Sequence, residues 1–443
     1  FGSGDKHPSF LASLPSSYGA AIAGSMSTTF VHVGQAGCQI AHALWPHLAR
    51  ERPHSPDIFQ LGFGVPRPRA LLVDAEPKVV EKLLIASEGS FAFDASSVIS
   101  GQSGRGGNFA LGYAGGAGAL PATATPPKER PELVEQALEG TRRDMERCHG
   151  SHLGTVFLHS LGGGTGSGLG TRLLEEFRDT FPSSVILTIS VLPITHGENP
   201  LQSYNALLAL TGLHELSDGA VIYENDRLLA AAEGLKTVKS EAGNIGGGSS
   251  LASMNAIVVR DLLPLLCPAN PAIPFELGSL LSSVCPMPSH RFVQAFSGEI
   301  STSTPCEQRH LVDALSRSMP RIAKGSGSVL SARAVVRGFA GSHSIDASRL
   351  LERMGGSVSW QPFCLDVQSS PQPLRTASNA ARISVLVNWK RSAQVIQSVV
   401  TQARHKYDSR MFLHWYERYG FGRDSFEHAF EVMDEVVSNY QAT

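Results

Sequence analysis

The sequence predicts an α/β protein: a doubly wound parallel sheet, then a second α/β domain, then a hairpin of C-terminal helices. Apolar runs such as "TVFLHSL" and "SVILTISVLP" are nearly uninterrupted, which is typical of parallel strands buried on both faces. Segments with helical spacing separate these runs, and strands that alternate with helices imply a sheet covered on both sides. A glycine-rich turn, "GGGTGSG", joins one strand to the helix that follows it.

The alternation begins at Thr28. "TTFVHV" predicts a strand, and "CQIAHALWPHLARE" has apolar residues at helical spacing. "RALLVDAEP" predicts a second strand that ends in two acids and a proline, and "ELVEQALEGTRRDMERC" predicts a helix. The remaining elements are "TVFLHSL", the glycine turn with its helix, "SVILTISVLP", a helix near 203–216 and "GAVIYEND". Ligands of such sheets bind beyond the carboxyl ends of the strands, where the glycine and acidic segments fall.

The second half of the chain has a different pattern. "EAGNIGGGSSLASMNAIVVRDLLPLL" has helical character, although its glycines at 246–248 should weaken or interrupt a helix. Residues 270–390 mix strand-like runs with Ser/Gly/Pro loops, as a second α/β domain does, and helical character returns near Ser392. An apolar stripe on the last helix predicts a packing face formed by Phe426, Phe430, Met433, Val437 and Tyr440.

The first 25 residues are rich in Ser, Gly, Ala and Pro and lack the basic start and apolar core of a secretory signal. We expect them to be either a flexible leader or a remnant foreign to the natural protein, in both cases outside the fold, with Met26 a candidate natural start. The predicted domain organisation is a leader at 1–25, a first α/β domain at 26–230, a core helix with an intermediate α/β domain at 231–395, and C-terminal helices at 396–443.

The composition excludes several classes of protein. The chain has 443 residues, of which 42% are hydrophobic and 17% charged, with a formal net charge of −2. No basic excess points to nucleic acid. The six cysteines contain no CxxC pair, so they indicate neither a zinc site nor a thioredoxin-like motif. Charged residues or prolines interrupt every apolar stretch before about 18 residues, so we expect no membrane span.

The glycine turn has the most specific chemistry. Five of the seven residues from Gly162 to Gly168 are glycine. The turn lacks the Lys-Ser/Thr ending of a P-loop and the glycine spacing of a dinucleotide fingerprint. What remains is a cradle for an anion, in which bare backbone N–H groups and a helix N-terminus face phosphate oxygens while Thr165 and Ser167 add hydroxyl donors. Because the turn has no lysine, we expect a bound cation to help neutralise a polyphosphate.

"GGGTGSG" after a strand resembles the phosphate loop of the tubulin family. "HVGQAGCQI", "LVDAEP" and "SGRGGNFALGY" resemble its first three loops, "ENPLQSYN" its ribose loop and "YENDRL" its base-binding loop, all in the family's order. "FLHWYERYGF" and "VVSNYQ" resemble its last two helices. Within the family, the sequences "RALLVDAEPKVV", "YEND" and "VVSNY" are most similar to the delta-tubulin branch. The resemblance implies a tubulin-like GTPase domain that binds GTP or GDP with Mg²⁺.

The resemblance also implies site residues. Contacts to phosphate are implied for the first, third and glycine loops, at Gly34, Gln35, Ala36, Gly37, Gly106, Gly107, Asn108, Ser160, Gly162, Gly163, Gly164, Thr165 and Gly166. Gln35, Asp74 and Glu76 would lie near Mg²⁺, which binds proteins through few carboxylates and several waters. The alternative for the two acids is that they are solvated at a strand end before Pro77.

Recognition of the nucleoside is implied at three further positions. Glu198, or else Gln202, would face the ribose, and Asn225 and Asn244 would pair with guanine, since an amide offers both a donor and an acceptor. Ser240 stands near the place of the family's stacking ring. Asp261 falls where the family has an acid that acts on the nucleotide of the next subunit. The alternative for Asp261 is a solvated helix acid beside Arg260.

These resemblances lead to three hypotheses. The first is a GTP-binding tubulin-family protein with head-to-tail contacts to other tubulins or microtubule ends, in centriole or basal-body microtubules of the cytoplasmic cytoskeleton. It could be a GTPase completed across a subunit interface. The second is a non-polymerising GTP-binding adaptor or capping subunit. The third, a nicotinamide-dependent oxidoreductase, is disfavoured by the glycine spacing. No nucleic acid or membrane partner is expected.

Overall fold

The structure is a computed structural model. It describes residues 27–443 except for short segments at 54, 61–64, 79, 82–90, 116–130, 149–151, 196, 198, 242–249, 269, 271–272, 302–307, 322–327 and 340–345. The predicted leader at 1–25 lies outside the described residues, as do the glycines at 246–248.

The strands form one large sheet and one small ribbon. In chain order they are β1 (Ser27–Val33), β2 (Phe59–Gln60), β3 (Arg67–Pro68), β4 (Ala70–Asp74), β5 (Val98–Ser100), β6 (His152–Ser160), β7 (Val185–Leu192), β8 (Gly219–Glu224), β9 (Phe292–Ser301), β10 (Val329–Arg337), β11 (Leu365–Ser370) and β12 (Ala380–Trp389). The large sheet has the order β11-β10-β12-β9-β8-β7-β6-β1-β4-β5, and β2 pairs with β3.

The two parts of the sheet differ in strand direction. From β5 to β9 every neighbouring pair is parallel. Beyond β9, β12 pairs antiparallel with both β9 and β10, and β11 is parallel to β10. This confirms the parallel sheet and the α/β class. Because β9 pairs with β8 on one side and β12 on the other, the sheet crosses the boundary expected near 230, and the division into domains stays a prediction.

The helices connect these strands. They are α1 (Gly34–Glu51), α2 (Phe109–Tyr113), α3 (Glu132–Glu146), α4 (Gly170–Thr180), α5 (Gln202–Leu216), α6 (Asn225–Glu241), α7 (Ser250–Leu266), α8 (Leu277–Val284), α9 (Gln308–Ser318), α10 (Ala347–Arg353), α11 (Arg391–Asp408), α12 (His414–Glu417) and α13 (Arg423–Ala442). The helix predicted near 203–216 is α5. No helix of the described residues has both the length and the apolar character that crossing a membrane requires.

Helices cover both faces of the sheet. Successive residues of a strand point to opposite faces. Phe30 of β1 therefore packs into the same cluster as α1 and α7, whereas Val31 and Val33 join the cluster formed with α3, α4, α5, α11 and α13. A third cluster fills the space between α9 and strands β9, β10 and β12. The predicted stripe on α13 is buried in the second of these clusters, which confirms it as a packing face.

Candidate functional site

The parallel strands end in register and so bring their loops to one edge. Val33 of β1 is paired with Val73 of β4, so Gly34 and Asp74 are the next residues along two adjacent strands. His32 is paired with Leu158 of β6, so Ser160, two residues further along β6, lies level with Gly34. Asp74 is itself paired with Ser100 of β5. The first, second, third and glycine loops therefore meet at the carboxyl edge, as the sequence predicts.

The first loop is the opening turn of α1, not a separate segment before it. Gly34 follows β1 with a φ of +71°, a conformation that L side chains rarely adopt. A Cβ on Gly34 would lie 3.2 Å from the amide nitrogen of Gly166, so this turn touches the glycine loop. Gln35 is exposed and Ala36 half-buried at this helix N-terminus. Gly37 is bare for packing, since its Cβ would lie 2.2 Å from the carbonyl oxygen of Leu158.

Three glycines of the glycine loop contact the protein's own backbone. A Cβ on Gly164 would lie 2.5 Å from the carbonyl oxygen of Arg105, one on Gly166 would lie 2.4 Å from that of Ser160, and one on Gly168 would lie 2.0 Å from that of Phe109. These approaches hold the loop between the end of β6 and the third loop. Close packing therefore explains why these three positions are glycine, and the phosphate contacts expected at Gly164 and Gly166 stay a prediction. At Gly164, a side chain would clash with the protein before it reached a ligand.

Gly163 is different. Apart from its two chain neighbours, no atom of the described residues would lie within 4 Å of a Cβ on Gly163, and its φ is not in the left-handed region. Gly162, Gly163 and Thr165 are half-buried, and the five residues from Thr165 form a π-helical turn that leads into α4. Turns of this type occur frequently at functional sites. The open space over Gly163 is thus where a phosphate can approach the backbone.

Ser167 does not offer its hydroxyl to a ligand. The side chain is fully buried and its hydroxyl donates a hydrogen bond to the carbonyl oxygen of Gly163. The hydroxyl of Thr165 has no recorded partner among the described residues. Of the two hydroxyls in the predicted cradle, Thr165 is the one that can donate to a phosphate.

The third loop contributes backbone and not its asparagine. Gly106 and Gly107 have φ values of +53° and +62°, which favour glycine. Asn108 is buried as the N-cap of α2: its Oδ1 accepts from the amides of Ala110 and Leu111 at 2.8 and 3.3 Å. Its Nδ2 donates to the carbonyl oxygen of Trp415. The side chain of Asn108 is therefore committed to the fold, and a phosphate contact at this residue would have to come from its backbone.

Two asparagines that the sequence analysis missed join the third loop to the glycine loop. Nδ2 of Asn205 donates to the carbonyl oxygens of Gly107 and Gly162 at 2.7 and 2.8 Å, and Nδ2 of Asn199 donates to the same two oxygens at 3.1 and 3.2 Å. Oδ1 of Asn205 also accepts from the amide of Phe109. Both asparagines lie in or near "ENPLQSYN", but nothing in that segment indicates which partners they bind.

Two buried histidines support the same turns. Nδ1 of His159 lies 2.7 Å from the carbonyl oxygen of Gly166, and Nδ1 of His32 lies 3.1 Å from that of Gly37. A carbonyl only accepts, so each Nδ1 carries the proton. Trp45 donates to Nε2 of His32, which must therefore be unprotonated. Burial lowers the pKa of His32 to about 3 and that of His159 to about 4, so both rings are neutral near pH 7.

Asp74 is a buried acid without a full set of partners. Its side chain is 3% exposed, Oδ1 accepts from the amide of Glu76 at 3.2 Å, and Oδ2 has no hydrogen-bond partner among the described residues. Burial raises the pKa of Asp74 to about 6. Glu76 is exposed and lies over Gly104. A hard cation would satisfy the free carboxylate oxygen, so Asp74 fits Mg²⁺, with Glu76 two residues after it and Gln35 at the start of the helix that follows the neighbouring strand.

No group of three or more His, Cys, Asp or Glu side chains that could hold a metal by themselves occurs in the described part of the chain. This is compatible with Mg²⁺, since in phosphate sites that ion keeps several waters and takes oxygens from the phosphates. The residues present fit an ion held jointly by the protein and a ligand.

The residues expected to contact the nucleoside are only partly described. Asn225 is half-buried at the start of α6, directly after β8. Glu198 and Asn244 lie outside the described residues, and so does the side chain of Ser240. Gln202 is buried and donates to the carbonyl oxygen of Ile194 at 2.6 Å, so it does not face a ribose.

Asp261 lies inside the protein. Its side chain is 1% exposed, and Oδ1 accepts from the hydroxyl of Ser297 at 2.5 Å, between α7 and β9. Arg260 Nε is 3.8 Å from the same oxygen, and burial raises the pKa of Asp261. This contradicts the expected action on a neighbouring subunit, which requires a carboxylate at the surface. It also contradicts the alternative of a solvated helix acid.

Comparisons with known proteins agree with this geometry. Residues 27–233 match the family model of the Tubulin/FtsZ family, GTPase domain. The tubulin beta-1 chain of Colletotrichum gloeosporioides is 28% identical over 387 residues, which are 84% of this chain and 81% of that protein. The tubulin beta chain of Aspergillus fumigatus is 27% identical over 446 residues, and that of Enteroctopus dofleini is 26% identical over 440 residues. Each of these two alignments covers 93% of both proteins.

The matched segment contains the first, second, third and glycine loops and the start of α6. All of these lie at the carboxyl edge of the sheet, and Gly163 is open there. Sequence similarity and site geometry therefore agree: residues 27–233 are similar to the GTPase domain of the Tubulin/FtsZ family, and over most of its length the chain is similar to tubulin beta chains.

Proposed function

We propose that the chain is a GTP-binding cytoskeletal protein that contacts other tubulins head to tail through the nucleotide-bearing edge of its sheet. The observation that carries this proposal is the open backbone at Gly163, at an edge where two helix N-termini and the buried acid Asp74 also meet. Helix N-termini favour anions, and an acid beside them favours a metal–phosphate complex. A head-to-tail contact that does not close produces a filament.

In this proposal the nucleotide lies across the strand ends. The amides at the start of α1 and at the start of the π-helical turn that leads into α4, with the hydroxyl of Thr165, bind the phosphates. Asn225, at the end of β8, pairs with guanine together with Asn244. Glu198 faces the ribose. Mg²⁺ is held near Asp74, Gln35 and Glu76 and neutralises part of the phosphate charge.

We also propose that the protein belongs to the delta branch and acts in centriole or basal-body microtubules. The support is the amino-acid sequence of residues 69–80, 223–226 and 436–440, which resembles that branch. A fluorescently tagged full-length chain should concentrate at centrioles or basal bodies. Uniform labelling along cytoplasmic microtubules would contradict this assignment and leave nucleotide binding untouched.

The direct test of the proposed function is the identity of the nucleotide that copurifies with the folded chain. We expect GTP or GDP in about equal amount to the protein, with micromolar or tighter affinity in titrations with Mg²⁺. ATP or a nicotinamide dinucleotide in the extract, or a pocket that binds none of these, would contradict it.

A second candidate, a GTP-binding adaptor or capping subunit that does not polymerise, is favoured by the burial of Asp261. The chain then lacks the surface acid that was expected to act on the nucleotide of the next subunit. Sedimentation with GTP and with GDP separates the two candidates. Assembly that depends on GTP supports the filament, and a monomer in both states that still binds GTP supports the adaptor.

The metal site makes a prediction about pH. Because the pKa of Asp74 is raised to about 6, the folded state binds more protons than the unfolded state between pH 4 and 6, so stability falls as pH rises through this range. Above pH 6 the ionised Asp74 lowers the free energy of unfolding by its full amount, on the order of 1–3 kcal/mol. Without nucleotide and metal, Asp74→Asn should therefore be more stable than the parent at pH 7.5, with the gain disappearing toward pH 4.

Urea unfolding at several pH values measures this effect, with Glu76→Gln as the exposed control that should change stability little. The same Asp74→Asn variant should lose most of the Mg²⁺ dependence of GTP binding. If Asp74→Asn is less stable than the parent at pH 7.5, the Asp74 carboxylate stabilises the fold without a bound cation, which contradicts this prediction.

A further inference from the structure

Arg105, in the third loop, is a buried cation without an acidic partner among the described residues. Only 7% of the surface of Arg105 is exposed. Nη1 donates to the carbonyl oxygen and the hydroxyl of Ser103, at 2.9 and 3.4 Å, and Nε has no hydrogen-bond partner in the part of the chain that the structure describes. Arginine is almost never fully buried unless it is paired, because an uncompensated buried charge is costly. Burial also lowers the pKa of this guanidinium from its ordinary value.

The position of Arg105 connects it to the glycine loop. Its carbonyl oxygen would lie 2.5 Å from a Cβ on Gly164, and it accepts from the amide of Asn108 at 3.0 Å. The left-handed Gly106 and Gly107 follow it directly. The carbonyl oxygen of Gly107 is held by the amides of two asparagine side chains that also hold Gly162. The backbone of Arg105 is therefore fixed against the cradle, although no acid of the described residues holds its side chain.

The charges of the site leave a role for this cation. Residues 34–38, 74–77, 101–108 and 160–170 form the four loops, and their sequences contain Arg105 as the one Lys or Arg beside two acids, Asp74 and Glu76. A nucleoside triphosphate adds several negative charges. One divalent cation near the acids leaves part of this charge unneutralised.

The strand order indicates which phosphate Arg105 would meet. The sheet has the order β8-β7-β6-β1-β4-β5 in this region. Asn225 follows β8, the glycine loop follows β6, and the loop of Arg105 follows β5. A nucleotide with its base at β8 and its phosphates over the glycine loop extends its terminal phosphoryl group toward β4 and β5.

We propose that Arg105 is the cationic ligand of the terminal phosphoryl group of the bound nucleoside triphosphate, in place of the lysine that the glycine loop lacks. This inference rests on the proposed function. When the nucleotide binds, phosphate oxygens compensate the buried charge of the guanidinium. The charge-assisted hydrogen bonds that form are stronger than those between neutral groups. A diphosphate lacks the group that Arg105 binds, so this residue makes the site prefer GTP over GDP.

The test is titration of the full-length chain with fluorescent GTP and GDP in Mg²⁺. The variants are Arg105→Gln, Arg105→Lys and the control Arg423→Gln, which removes an exposed arginine at the start of α13. We expect Arg105→Gln to weaken GTP binding by about 10- to 100-fold and GDP binding by less than about threefold. Arg105→Lys should restore part of the GTP affinity, and Arg423→Gln should alter neither nucleotide.

Thermal melting without nucleotide separates binding from folding. Because Arg105 has no acidic partner to lose among the residues that the structure describes, Arg105→Gln should melt at the parent's temperature or above it. Unchanged GTP affinity, an equal loss of GTP and GDP affinity, or a lower melting temperature without nucleotide would each overturn the assignment of Arg105. If the parent chain binds neither nucleotide, the proposed function itself fails.

Discussion

Replacement of Gly163 by valine is expected to abolish nucleotide binding and leave the fold intact. Beyond the chain neighbours of Gly163, a Cβ at this position meets nothing within 4 Å in the described ranges, and the φ of Gly163 is one that other residues can adopt. The new side chain therefore projects only into the space where a phosphate would approach the backbone. We expect GTP affinity to fall by at least about 100-fold, equivalent to about 2.8 kcal/mol or more.

Gly164→Val is the matched control. There the Cβ would lie 2.5 Å from the carbonyl oxygen of Arg105 and 2.8 Å from the amide nitrogen of Asn108, so something in the backbone must shift. This variant should lose several kcal/mol of stability, since overpacking against rigid backbone is costly. Circular dichroism melting combined with fluorescent-GTP titration measures both effects. If Gly163→Val binds GTP with an affinity within a few-fold of the parent's, the proposed phosphate site at Gly163 is wrong.

Asn205→Ala is expected to have the largest effect on the fold of the site. Asn205 is fully buried and makes four hydrogen bonds: two from Nδ2 to the carbonyl oxygens of Gly107 and Gly162, and two to Oδ1 from the amide of Phe109 and the hydroxyl of Tyr416. A buried polar group left unsatisfied costs about 1–3 kcal/mol. We expect a loss of about 2–4 kcal/mol in stability, together with loss of nucleotide binding because two loops separate.

Asn199→Ala provides the comparison. Asn199 donates to the same carbonyl oxygens of Gly107 and Gly162, but it is half-buried and its bonds are longer, at 3.1 and 3.2 Å. Its loss should cost roughly 1 kcal/mol, because the bonds from Asn205 remain. Urea unfolding of both variants, with GTP titration, decides the order. Equal and small effects of the two substitutions would show that the loops are held together by packing alone.

Pattern along the chain was sufficient to predict the parallel sheet. Runs such as "TVFLHSL" are apolar at every position because parallel strands are covered on both faces, and that signal is local. The stripe from Phe426 to Tyr440 likewise predicted the buried face of α13. The meeting of the loops at one edge followed from the same reasoning, because the carboxyl ends of parallel strands share an edge.

The separate roles of the glycines needed the tertiary structure. From the sequence, Gly163 and Gly164 are identical neighbours in one motif. In the fold, the backbone of the third loop, about 60 residues earlier in the chain, packs against Gly164 and leaves Gly163 open. Asp261 is a similar case: its helix carries charged residues, but the position of β9 behind it decides that its carboxylate is buried against Ser297.

What this sequence determined by itself is therefore the set of elements, the edge at which a ligand binds and the residue types available there, because periodicity and turn chemistry are local properties. Only the tertiary structure decided which of those residues are free for a ligand. Asn108 caps a helix, Asn205 joins two loops, and Arg105 has no acidic partner in the described part of the chain. Each of these states depends on partners brought together from distant parts of the chain, and the sequence near each residue carries no record of them.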